Sequence, residues 1–195
     1  MAEIVISPAT ADRFEDAEHA LTGGGDGRSC QCQWWMMPNA QFQRLETAER
    51  TDLLRNELAV ASVPPALIAS VSGEAAGWVR VGPRVHQVRI ARTRALAANT
   101  ELPLDDPDVW AISCFVVRRE HRGIGLNARL IDAAVAFARD HGARVVEAYP
   151  VDTAVAHASA NELYHGVLST FLAAGFREVA RPRPDRAIVM LDLTA

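Results

Sequence analysis

Apolar and polar positions change period several times along the chain, and each change predicts an element. Glu3 to Ser7 alternates in strand fashion, and Thr10 to Leu21 follows with a capping residue and Phe14, Ala17 and Leu21 at helical spacing. The glycines from Gly23 to Gly27 read as a flexible turn, because no strand feeds them and no helix clearly leaves them. Cys30 to Met37, if extended, sets Cys30, Cys32, Trp34 and Met36 on one face with Gln31 and Gln33 opposite, which predicts a half-buried strand or pocket wall. Glu46 to Val60 is helical, with Leu53, Leu54 and Leu58 as its stripe, and Pro64-Pro65 ends it. Ala66 to Val71 and Ala75 to Val81 form a hairpin around the turn residues Ser72-Gly-Glu74.

Residues 84 to 108 are the least regular part and mix Arg84, Arg89, Arg92 and Arg94 with Asp105, Asp106 and Asp108. A loop of that length reads as a lid or acceptor-binding segment, or as a solvated connection. Val109 to Val117 is apolar nearly throughout and predicts a central strand buried on both faces. Leu130 to His141 is helical and Gly142 stops it, Val145 to Tyr149 is the next strand, and Ala160 to Ala174 is a late helix ending at Gly175. Phe176 to Ala180 and Ala187 to Leu193 close the chain as paired strands around the turn from Pro182 to Arg186.

A length of 195 residues is enough for one sizeable core, so a single domain over 1–195 is expected. The net charge of -4 argues against a nucleic-acid partner, which would demand a basic face. All the basic residues are Arg, so lysine bases, Schiff bases and Walker-type phosphate loops are excluded. Cys30, Cys32 and Cys114 make no disulfide framework, and the C-x-C pair lacks the second pair a zinc site needs, so no metal is expected. Cys114, inside an apolar strand, reads as an inert core thiol. With neither a signal-like start nor an apolar run of membrane length, the expectation is a cytoplasmic protein with no membrane partner.

The chemistry concentrates where the strand ending at Val117 runs through Arg118-Arg-Glu-His-Arg-Gly-Ile-Gly-Leu-Asn-Ala128 into a helix. Unpaired N–H groups at a turn and helix start, with the helix dipole behind them, bind anions. Gly123 and Gly125 permit close approach to the backbone, and Arg122 can add charged hydrogen bonds.

Arg122-Gly-Ile-Gly-Leu-Asn127 resembles the acetyl-CoA motif of the GNAT superfamily, R/Q-x-x-G-x-G/A, except that Asn127 stands where Gly or Ala is usual. The following helix, strand and late helix ending Ala173-Ala-Gly-Phe176 extend the likeness over about residues 109 to 180. The resemblance implies a mixed α/β (α+β) fold, with a largely antiparallel central sheet of six to seven strands flanked by helices. It also implies that acetyl-CoA is the co-substrate and that an amine, preferably of a small molecule, attacks it directly. The main chain of Phe115, Val116 and Val117 would pair with the pantetheine arm. Arg122, Gly123, Ile124, Gly125, Leu126, Asn127 and Ala128 would cradle the pyrophosphate. A homodimer is left open.

Glu147, a carboxylate inside an apolar strand, is the preferred general base, its alternative being a structural carboxylate paired with an Arg. Phe171 stands where the family often has the acidic Tyr. Tyr164 is the substitute candidate for the acid, although two helical turns, about 10 Å, would separate the two positions on a continuous helix. These departures keep in view a rival, a CoA-binding protein without catalysis, and a protein N-terminal acetyltransferase is a second rival. Trp34, Trp35, Trp78 and Trp110 could wall an acceptor pocket, and Arg80 or Arg84 could fix an acidic group on the substrate.

Overall fold

A computed structural model describes residues 2–155, 157–159 and 161–194. Seven strands form one sheet: β1 (Ile4–Pro8), β2 (Ala66–Val71), β3 (Glu74–Pro83), β4 (Val109–Val117), β5 (Val145–Ala148), β6 (Arg177–Arg183) and β7 (Arg186–Asp192). Their spatial order is β1-β2-β3-β4-β5-β7-β6, antiparallel throughout except where β4 runs parallel to β5. The helices are α1 (Phe14–Leu21), α2 (Gly27–Cys30), α3 (Asn39–Phe42), α4 (Thr47–Val60), α5 (Val88–Arg92), α6 (Arg94–Ala97), α7 (Leu126–Asp140) and α8 (Leu168–Ala173). The seven-stranded, mostly antiparallel sheet between helices is the architecture that the resemblance implied.

Two cores sandwich the sheet. On one face α7 lays Leu126, Leu130, Ile131, Ala134 and Ala138 against Leu67, Val79, Val81, Trp110 and Ile112. On the other, Phe14, Ala17 and Leu21 of α1 and Leu54 and Leu58 of α4 cover Ile68, Trp78 and Val116. The i, i+4 spacing of those side chains gives each helix the apolar stripe that a sheet face buries. α7 is the crossover that connects the parallel pair β4 and β5.

Two irregularities position the site. β4 pairs with β5 only from Val109 to Ile112 and then continues to Val117 paired with β3 alone, while the chain beyond Ala148 turns away, which opens a fork on the β5 side. Opposite β3 the register shifts so that Arg80 faces Cys114 while Val81 faces Ile112, leaving Ser113 as a bulge.

Three segments differ from the expectation. Cys30 to Met37 is not a strand: α2 ends at Cys30, Gln31 and Cys32 have φ of 50° and 55°, and turns follow. Gln31, Cys32 and Gln33 are all buried, and beyond them Trp35 and Met37 are more buried than Trp34 and Met36, the reverse of the expected face. Trp35 pins the segment by donating Nε1–H to the Ser113 carbonyl at 2.9 Å. Residues 84 to 108 are not a loose lid, for they coil into short helical turns whose Arg84 and Arg89 are buried. The late helix is far shorter than expected, because Gly166 with φ of 77° separates α8 from a single turn at Leu163–His165. Ala160, where that helix was to begin, lies outside the described residues.

Candidate active site

A cavity of about 610 Å³ runs along the free end of β4, from the start of α7 to the turns after α2. At the α7 end, Arg122, Gly123, Gly125, Leu126 and Asn127 line it. Gly123 and Gly125 have φ of 79° and 80°, the left-handed region that only glycine adopts without strain, and a Cβ on either would meet nothing within 4 Å. The backbone there is bare toward the open space. Gly125 caps the fifteen-residue α7 with no side-chain hydrogen bond, so the N–H groups of its first turn are left for a ligand. Asn127 lines the same wall. The bare glycines and the uncapped helix start fit a diphosphate held by main-chain amides. Arg122, exposed, arches back to donate Nε–H to the Val117 carbonyl at 3.2 Å.

The glycine run before α2 is a wall of this cavity rather than a free turn. Gly24, Gly25 and Gly27 line it, and the Gly23 carbonyl accepts the Arg119 N–H at 3.1 Å. A Cβ on Gly23 would lie 2.1 Å from the Arg118 Cγ and 2.6 Å from its Cα. The small residues therefore let this lip close over the motif loop. Sequence reading missed it because its partners stand about a hundred positions away.

Phe115, Val116 and Val117 also line the cavity, with Tyr164, Leu163, Cys114, Trp34, Trp35, Phe42, Cys30 and Cys32 toward its far end. Trp34 meets Phe42 edge-on at 5.1 Å, and the Arg89 guanidinium lies 3.6 Å over Trp34. Tyr164 stacks on His165 at 4.0 Å. Burial first, then charge at Cys114, pushes its phenol up, so it keeps its proton and can donate one.

Of the residues singled out in the sequence, Phe115, Val116, Val117, Arg122, Gly123, Gly125, Leu126, Asn127 and Tyr164 meet on one cavity. Ile124 points away, 45% exposed, and Ala128 faces outward from the first turn of α7. Tyr164 arrives on the single turn before Gly166, not by the continuous helix assumed.

Glu147 is not brought to the cavity. It is fully buried and accepts Arg84 Nη1–H at 2.8 Å, the Tyr149 hydroxyl at 2.7 Å and the Thr100 hydroxyl at 2.7 Å. Its pair with Arg84 lies under the residue 100–103 segment, whose Leu102 and Pro103 carbonyls Arg84 also binds. Of the two readings of Glu147, the geometry is that of the structural carboxylate, and Glu147 is not among the residues that line the cavity. Arg84, offered as an acceptor ligand, is buried in the same network.

Cys32, passed over in the sequence, has the most developed environment among the thiols. Its sulfur accepts Trp78 Nε1–H and Arg80 Nε–H, each at 3.1 Å, while the remaining guanidinium nitrogens of Arg80 bind both oxygens of Glu57 at 2.7 and 2.8 Å. Burial alone would raise the Cys32 thiol. The hydrogen bond from Cys114 and the charge of Arg80 outweigh it and bring Cys32 down to about 6. Cys30 is instead pushed up to about 11 by burial and by the charge at Cys32. Among the described residues, the group of three whose ligand atoms converge as a metal site would need is Glu74, Glu120 and His121 at the surface, and no cysteine belongs to it.

A sequence model of the acetyltransferase (GNAT) family matches residues 31–167. No curated protein matches in sequence. The fold is similar to ribosomal-protein-alanine N-acetyltransferase from Brucella melitensis, at 18% identity and a TM-score of 0.57, covering 97% of this chain and 99% of that one. It is likewise similar to a polyamine N-acetyltransferase of Drosophila melanogaster, at 13% identity and a TM-score of 0.57, covering 98% and 100%. The GNAT domain of S. lividans PAT matches at 17% identity and a TM-score of 0.54, covering 98% and 97%.

Proposed function

The chain belongs to the GNAT acetyltransferase family, and from that premise we propose that it transfers the acetyl group of acetyl-CoA to the amine of a small-molecule acceptor. One observation carries this reading: a single cavity joins the uncapped start of α7 to a chamber of aromatic residues, and the end of β4 that β5 leaves uncovered is its wall. The pyrophosphate is held by main-chain amides from Gly123 to Ala128 with Arg122 beside it, and the pantetheine arm pairs along Phe115 to Val117 as an added strand. That placement sets the thioester at the fork between β4 and β5. Tyr164, whose phenol keeps its proton, stands ready as the acid for the departing thiolate.

Trp34, Trp35 and Phe42 favour an acceptor whose amine is attached to an apolar or aromatic body. Such a chamber suits a compact molecule better than a peptide chain. The whole of 1–195 serves as one acetyltransferase domain in this reading, and its three free thiols suit the reducing cytoplasm.

The test is calorimetric binding of acetyl-CoA to the wild type and to Gly125→Asp, followed by CoA release with small amines, polyamines and peptides. The variant adds a Cβ at a φ of 80° and a negative charge at the anion site, so affinity should fall at least about tenfold, or 1.4 kcal/mol. Equal affinity in the variant would refute the cradle. Binding without CoA release across the panel would favour a non-catalytic protein, and preference for peptides would favour an N-terminal acetyltransferase.

A further inference from the structure

The aromatic end of the cavity carries positive charge with no carboxylate opposite it. Arg50 of α4 lines that end, and its guanidinium lies 4.1 Å over the Phe42 ring. Arg89 of α5 lies 3.6 Å over Trp34 and 5.9 Å from the same Phe42 ring, so two guanidiniums flank one pair of aromatic side chains. Elsewhere such charge is answered: Arg80 binds Glu57, and Arg84 binds Glu147. Among the described residues no ion pair takes up Arg50 or Arg89 in the same way. Asp26, also on the cavity wall, belongs to the glycine lip and accepts Asn161 Nδ2–H at 3.2 Å.

Neutral groups do not make up the difference. Arg50 donates to the carbonyls of Ser29 at 2.7 Å, Phe42 at 3.0 Å and Leu45 at 2.5 Å, which fixes the direction of the guanidinium and leaves its net charge. Arg89 is 8% exposed, donates Nε–H to the Trp34 carbonyl and has no partner for Nη2. Burial lowers its proton affinity from the ordinary guanidinium range, and the groups that would oppose this by charge are Tyr164 and Cys30. Both are pushed up, first by burial, and so keep their protons. Ring faces attract a cation, but less than an anion does. A buried cation without a counter-ion is costly, and an anion brought by a ligand offsets that cost.

We infer that the acceptor is an amine whose apolar or aromatic body also bears a carboxylate, and that this carboxylate sits against Arg50 with Arg89 as the second cation. The inference rests on the acetyltransferase reading and deepens it by naming the acceptor's class, of which an aromatic amino acid is the simplest member. Arg50 is the wall residue that the ligand touches, whereas Arg89 is not a lining residue and acts by its field through Trp34. With the carboxylate held there, the body lies beside Trp34 and Phe42 and the amine points toward the thioester. A polyamine would instead bring further positive charge against two guanidiniums, so the same residues select against it.

The test measures CoA release with matched pairs that differ only in the carboxylate: phenylalanine, tryptophan and leucine, each against its amide, with spermidine alongside. In the wild type at least one free acid should exceed its amide about tenfold in kcat/KM, the worth of one charge-assisted contact, with most of the difference in KM. Spermidine should be turned over more slowly than that acid. In Arg50→Gln the ratio of acid to amide should shrink toward one. A variant merely damaged in folding lowers both members of a pair together and keeps the ratio, and the wild-type comparison needs no variant at all. Amides turned over as fast as their acids on every body, spermidine preferred to all, or an unchanged ratio in Arg50→Gln would overturn the inference while leaving the acetyltransferase reading intact. No CoA release with any amine would remove both.

Discussion

Replacing Glu147 with Ala separates a structural carboxylate from a catalytic one. Its partner Arg84 is 1% exposed at the side chain, so the variant leaves a guanidinium buried opposite a hole. Breaking a buried ion pair from one side costs about 3–5 kcal/mol. Thr100 and Tyr149 each lose their acceptor as well, and an orphaned buried donor costs about 1–3 kcal/mol, not additively. Arg84 keeps the Leu102 and Pro103 carbonyls, which places the expected loss near about 3 kcal/mol, a large part of the 5–15 kcal/mol typical of a domain. Urea unfolding followed by circular dichroism reads it directly. The double variant Arg84→Met with Glu147→Leu should lose clearly less than Glu147→Ala, because it removes both charges together. Acetyl-CoA affinity of the folded Glu147→Gln protein should match the wild type, since the cradle is built elsewhere. A loss under about 1 kcal/mol in Glu147→Ala would refute the ledger of this network. Full stability with abolished turnover in Glu147→Gln would return the carboxylate to the chemistry.

Gly23→Ala should push the lip off the motif loop, because its Cβ would fall 2.6 Å from the Arg118 backbone; a cost of about 1–3 kcal/mol and weaker acetyl-CoA binding are expected. Gly82→Ala, whose Cβ meets nothing within 4 Å, is the control, and equal behaviour of the two in denaturation and calorimetry would contradict the close approach. Stability should also depend on pH through Cys32, which faces Arg80 and Trp78 of β3, Cys114 of β4, Cys30 in its own segment and Glu57 beyond Arg80. Between about 6 in the folded protein and 9.0 in the unfolded chain, the unfolded thiol binds the extra proton, so stability rises with pH across that window and is lost as pH falls through about 6. Unfolding free energies of wild type and Cys32→Ser measured from pH 6 to 9 should diverge as pH rises, and parallel curves would deny the thiolate.

The sequence alone determined what local chemistry can determine. Val109 to Val117 is apolar at all positions but Ser113, which suits a strand covered on both faces. Gly123 and Gly125 beside an amphipathic run announced both the turn and the anion site, because left-handed backbone and free helix amides are properties of adjacent residues. Tertiary structure decided everything that depends on partners distant in the chain. Glu147 looked like a base until Arg84, 63 positions earlier, proved to bind it. Cys32 read only as one of a C-x-C pair on a strand face until Arg80, 48 positions later, turned its N–H toward the sulfur. The Cys30 to Met37 segment kept an alternating pattern yet folded as turns, since one hydrogen bond from Trp35 to the β4 bulge outweighs a weak strand preference. Charge, burial and proton affinity are set by what the fold brings within a few ångströms, and adjacency in sequence says little about that.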